Sequence, residues 1–174
     1  MRPMSLFESL DSTGEYSIKG LFNGTFSQGA ISTKNIEDYS FLTCRRGWPK
    51  SVGQRKEIAL DIANNYYDSL INNDFYGLEE SKKNSDKMKS VLRSYTRNTA
   101  TKCSIQTIVS DSYQQDSQSI SDITVSSYLN WLRNIYVIED IPAWNPNLRS
   151  KIAIRTSPTR HFVDPSIACS SLGL

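Results

Sequence analysis

The stretch from Ser121 to Gly173 limits the possible folds more than any other part of the chain. Ser121-Asp122 offers a helix cap, and Val125, Tyr128, Leu129 and Leu132 follow at helical spacing. Tyr136 to Trp144 and Lys151 to Val163 then read as two strands joined through Asn145-Pro146-Asn147. Asp164-Pro165 stops the second strand and starts a last helix, with Asp164 as N-cap and Pro165 at its first position. A capped helix running into a two-stranded ribbon is the second half of a winged helix, a unit that docks onto nucleic acid or onto a neighbouring domain.

The preceding sequence supplies helices for that unit. Asn84 or Ser85 opens a helix whose Met88, Val91, Leu92 and Tyr95 form one apolar stripe. Ser104 caps a short helix containing Ile105, Ile108 and Val109, and a polar connector, Gln114 to Ser119, leads on to Ser121. Three helices and a ribbon make a winged variant of helix-turn-helix, although this connector is longer than the turn of a tight one. Further upstream, Asn35 caps a helix carrying Ile36, Tyr39 and Leu42, which Gly47-Trp48-Pro49 ends. A longer helix is expected from about Gln54 to Ile71, followed by a polar linker from Gly77 to Asn84. Residues 1–34 are mostly turn material, with a strand expected over Pro3 to Glu8 and a helical turn or two over Ser17 to Phe22. The expected fold class is therefore mainly α with a small β-ribbon.

Catalysis finds little support. No Gly-x-x-x-x-Gly-Lys-Ser/Thr loop is present, and none of the eight glycines precedes a lysine, so this chain alone is not expected to hydrolyse ATP. No Gly-x-Ser-x-Gly elbow occurs. His161 is the one histidine, and on a strand positions 161 and 164 face opposite ways, which disfavours a His161–Asp164 pair. A structural histidine is expected instead. Cys44, Cys103 and Cys169 are widely spaced and suggest free thiols, neither a disulfide framework nor a metal site. With no apolar run of membrane-spanning length and no signal-like leader, a cytoplasmic location is expected.

A net charge of +2 gives no bulk electrostatic argument for a nucleic-acid partner, so any such contact must be local. The polar face of the helix after Ser121 carries Thr124, Ser127, Asn130, Arg133 and Asn134, all able to touch phosphates or bases. Arg149, Lys151 and Arg155 would add wing contacts. Asp116 and Asp122, near the start of that helix, oppose phosphate there.

Several motifs resemble one family. Phe41-Leu42-Thr43-Cys44-Arg45-Arg46-Gly47-Trp48-Pro49 resembles the Cys-Arg-Gly-Gly-Trp-Pro box of bacterial AAA-type ATP-binding proteins with a C-terminal domain of unknown function 4143. Leu92-Arg93-Ser94-Tyr95-Thr96-Arg97-Asn98, Ile138 to Trp144, Pro146 to Lys151 and Arg155 to Ala168 resemble further motifs of those proteins. The resemblance implies a fragment. Residues 1–34 would be a remnant of the ATPase core, 35–83 a helical lid, 84–164 the winged helix and 165–174 the start of a truncated C-terminal domain. ATP and magnesium would belong to intact relatives, and no cofactor to this chain. Arg45 would be a nucleotide-phosphate contact in an intact relative. Arg46 stands where those proteins have a glycine, and it would strain the turn if that position needs a positive φ. The implied partners are DNA or a partner ATPase core. Self-association through an unpaired N-terminal strand is a further expectation.

Overall fold

The computed structural model describes residues 2–25, 29, 31–72, 84–115, 120–146, 151 and 156–174. Among them the chain is mainly helical, with seven α-helices, one 3-10 turn at Pro49–Ser51 and no extended sheet. The helices are α1 (Ile18–Asn23), α2 (Ile36–Arg45), α3 (Lys56–Asn72), α4 (Ser85–Arg97), α5 (Ile105–Gln115), α6 (Asp122–Asn134) and α7 (Pro165–Leu172).

Capping chemistry accounts for where most of them begin. Ser17, Asn35, Asn84, Ser121 and Asp164 each have extended backbone and accept a hydrogen bond from a first-turn N–H. That satisfies one of the donors a helix start leaves open. Asn35 and Asp38 make a reciprocal capping box. Ser104 plays the same part for α5, accepting from the Thr107 N–H at 3.1 Å.

One apolar core runs from α3 to α7. Ile71, Met88, Leu92, Tyr95, Ile108, Tyr128, Leu129 and Leu132 are completely buried in it, and Ile167 joins from α7. Burying each such side chain contributes about 1.5–3 kcal/mol. The core is thus shared across the boundaries expected at 83/84 and 164/165. α4 is its axis: Met88, Val91, Leu92 and Tyr95 face inward, and the helix packs on α3, α5, α6 and α7.

The ribbon differs from its expectation. No continuous strand forms over Tyr136 to Trp144, because Tyr136 adopts a left-handed φ of 59° and turns the chain out of α6. Pairing begins only after it, as isolated antiparallel bridges Ile138↔Phe162 and Ile141↔Thr159. Lys151, expected to begin the second strand, is helical and exposed, and residues 147–150 and 152–155 lie outside the described set. A third segment joins: Lys102 bridges Thr159, Thr99 bridges Arg160, and the Arg160 N–H donates to the Thr101 carbonyl at 3.1 Å.

The N-terminal strand is also corrected. Residues 6–10 form turns, because the Glu8 carboxylate accepts from both the N–H and hydroxyl of Ser5 and closes the chain on itself. Phe7, Leu10, Phe22 and Ile31 remain largely exposed in this region. Nearly all of the expected polar linker lies outside the described residues, as do positions 116–119 of the connector.

Candidate functional site

Three side chains from three parts of the fold meet at Asp140. One carboxylate oxygen accepts from the Tyr95 hydroxyl of α4 at 2.6 Å. The other accepts from Arg133 Nε of α6 at 2.9 Å and from Arg160 Nη1 at 2.7 Å. Arg160 is 2% exposed, and its Nε donates to the Cys103 carbonyl at 3.0 Å. The Tyr95 hydroxyl also accepts from the His161 N–H at 3.1 Å, and its ring meets Phe162 edge-on. Burial, and then the neighbouring Asp140 carboxylate, push the Tyr95 phenol far above its ordinary range, so it stays protonated and serves as a donor. Charge-assisted bonds of this kind are stronger than neutral ones and are rigid in direction.

This centre floors an open cavity of about 310 Å³, lined by Arg2, Arg133, Tyr136, Ile138, Glu139, Asp140 and Val163. Arg2 closes its rim by pairing with Glu139, and both side chains are largely exposed. A second cavity of about 550 Å³ shares Arg2, Tyr136 and Val163 and continues toward Trp48 and Tyr66. The two adjoin between the N-terminal arm, the Gly47-Trp48-Pro49 segment, α7 and the bridged residues around Ile138 and Val163. They have the size of ligand pockets, with an apolar end and a charged end.

The Gly47-Trp48-Pro49 segment is itself held by the start of α7. Asp164 accepts from the Gly47 N–H at 3.1 Å and from both the N–H and hydroxyl of Ser166. Trp48 Nε1 donates to the Ser166 hydroxyl at 2.9 Å. A β-carbon on Gly47 would lie 2.5 Å from Pro3 Cβ and 2.7 Å from the Met4 backbone N, so only glycine admits the N-terminal arm. Asp164 is therefore a cap and a clasp, and it is not aimed at His161.

The residues expected to act on partners are distributed unevenly. Thr124, Ser127, Asn130, Arg133 and Asn134 all lie on α6. Asn130 and Asn134 are exposed, Thr124 and Ser127 half-buried, and Thr124 is bonded to the Ser121 cap. Arg133 is turned to Asp140, and its Nη1 donates to Asn130 at 2.7 Å, so its charge is already matched. Lys151 is exposed; Arg149 and Arg155 lie outside the described residues. Arg45 is 5% exposed and points inward, with Nη2 2.8 Å from Asp11 and 3.3 Å from Ser9.

The residues that sequence reasoning missed are Asp140, Arg160 and Tyr95. One signal was available: Arg160 interrupts a stretch expected to be half buried, and a cation there needs a carboxylate. Nothing in the spacing says which carboxylate. Cys44 and Cys169 come together where α2 meets α7; burial, and then the Cys44 thiol, push Cys169 up to about 12. Among the described residues no cluster of His, Cys, Asp and Glu suits a metal ion, and no helix is long and apolar enough to cross a membrane.

The chain belongs to the family of the domain of unknown function 8612 (DUF8612), whose model matches residues 36–174. No curated protein and no solved structure matches it. The family is neither an AAA type nor the domain of unknown function 4143, and this overturns the resemblance drawn from the short motifs. The reading as a fragment of an ATP-binding protein falls with it, and the phosphate contact read onto Arg45 loses the resemblance it rested on. The error has a physical source. Arg-Arg-Gly-Trp-Pro and Asp-Pro-Ser are a helix stop and a helix start clasped together here, so their residue types answer to packing.

Proposed function

We propose that residues 84–164 form a winged-helix-type module and that the chain acts as a non-catalytic, nucleic-acid-docking domain. The observation that carries this reading is the order of backbone pairing. The 99–103 segment between α4 and α5 bonds to 158–160, and 159–163 bonds in turn to 137–141, which follows α6. The Val163 N–H donates to the Val137 carbonyl, Glu139 to His161 and Ile141 to Thr159, all in one antiparallel register. Helix, extended segment, two helices, then two paired segments around an excursion is the winged-helix order. In it α6 takes the recognition-helix position.

Charge distribution supports the partner class. Residues 84–164 hold ten Lys and Arg against seven Asp and Glu, whereas residues 1–83 hold ten against eleven. The modest net charge of the whole chain thus conceals a positive module, which is the local form of attraction that a polyanion needs.

The test is fluorescence anisotropy of a labelled duplex with purified chain at about 50 and about 200 mM salt. Binding whose logarithm falls linearly with log salt supports the reading, since phosphate contacts release counterions. No binding at the lower salt ends it.

A further inference from the structure

With Arg133 committed to Asp140 and Asn130, α6 offers no unpaired cation to a phosphate, and the electrostatic grip must come from elsewhere. We infer that the outer face of α4 is that surface: Lys89, Arg93 and Arg97, with Lys102 just beyond, form a track for the nucleic-acid backbone. The inference rests on the nucleic-acid reading above and assigns the surface that reading lacks.

The three α4 cations recur every four residues and fall on one stripe of the helix. Their side chains are exposed, while Met88, Val91, Leu92 and Tyr95 hold the opposite face in the core. The stripe therefore cannot turn inward. Lys102 is exposed as well, in the segment that pairs with Thr159. Among the described residues none of the four takes part in an ion pair, unlike Arg2, Arg45, Arg133 and Arg160, each of which has a carboxylate. Of the carboxylates close by in sequence, Asp86 lies on α4 one turn before Lys89, and Asp111 is occupied by Asn98 Nδ2 at 3.0 Å.

Spacing fits the partner. Four residues of helix rise about 6 Å. Successive phosphates of one strand are separated by about 3.4 Å along the duplex axis and further by the winding of the backbone, so cations about 6 Å apart can reach neighbouring phosphates. Such contacts position a nucleic acid without reading its sequence.

The experiment compares wild type with Lys89→Gln/Arg93→Gln/Arg97→Gln and with Lys19→Gln/Lys50→Gln/Arg55→Gln, which removes the same charge from other exposed sites. Each is titrated with a labelled duplex across a salt series, after circular dichroism shows equal melting points. The expected result is that the stripe variant loses about tenfold or more in affinity and about three units of log–log salt slope, with the control variant near wild type. Equal losses in both variants would show bulk attraction and overturn the track. Wild-type binding that the stripe variant retains overturns the track and leaves the nucleic-acid reading standing. Absence of wild-type binding ends both. A loss seen on phosphatidylserine vesicles but not on duplex overturns nucleic acid as the occupant.

Discussion

Asp140 accepts a 2.7 Å hydrogen bond from Arg160, twenty residues further along the chain, and this one pair ties the 137–141 segment to the 159–163 segment. Arg160 in turn reaches back to the Cys103 carbonyl, and Tyr95 bonds to Asp140 from the core helix. The side chains of Asp140 and Arg160 are only 9% and 3% exposed. Two charges so far from water are tolerable only because each is matched.

Removing one partner should therefore cost more than the pair itself contributes. Asp140→Asn leaves Arg160 buried with its charge uncompensated, and about 3 kcal/mol of stability should be lost. For a chain of this length that corresponds to a melting point lower by about 6–12 °C. Arg160→Gln should cost a similar amount. The double variant should cost clearly less than the two singles added together, because the residues share one interaction. Urea unfolding of the four proteins measures the coupling, and strict additivity would refute it.

Arg46 ends α2 with φ 39° and ψ −138°, a region that suits glycine and strains any residue with a β-carbon. Arg46→Gly should raise stability by about 1 kcal/mol, the relief of strain exceeding the added freedom of the unfolded chain. Arg46→Ala removes the same charge and keeps the β-carbon, so it should gain nothing. Comparing urea midpoints separates backbone strain from charge.

Much of the helical frame was legible because its signals are local. Caps such as Asn35, Asn84 and Ser121 lie within three residues of the N–H groups they satisfy, and the apolar stripe of α4 is contained in one helix. The strand expected from Tyr136 did not form: Tyr136 reads as a strand residue, while its left-handed turn is set by the handover from α6 to the core. The charged centre was invisible for a different reason. Tyr95 and Asp140 are 45 residues apart, and only the packed fold brings them together. Arg133 illustrates the consequence: it has the chemistry of a phosphate contact, and a carboxylate seven residues on takes it.

Gly47 and Asp164 make a clasp that should fail in two distinguishable ways. Gly47→Ala places a β-carbon against Pro3 and the Met4 backbone, so the N-terminal arm must move while the core stays intact. Protease sensitivity and hydrogen exchange should rise over residues 3–12, with a global loss of about 1–3 kcal/mol at most. Asp164→Ala instead removes the α7 cap and leaves the Gly47 N–H buried without a partner. Its cost should be about 2–3 kcal/mol, read as a lower urea midpoint. Exchange rates over the arm unchanged by Gly47→Ala would contradict the contact.

Asp11 makes the stability of the N-terminal arm depend on pH. Partial burial pushes its carboxyl up, but hydrogen bonds from Ser9 and Arg45 and the charges of Arg45 and Lys34 outweigh that, and the net result lies below the ordinary value near 3.8. A carboxyl lowered by folding stabilises the native state at pH values above its unfolded value, and the contribution disappears as pH falls through the lower folded value. Wild type should accordingly be more stable than Asp11→Asn at neutral pH. The difference should shrink below about pH 4 and vanish once both states are protonated. Urea midpoints for the two proteins at several pH values between about 7 and 2 give the answer. A gap that persists unchanged to the acid end would mean that Asp11 acts through shape alone and that Arg45 does not need its charge.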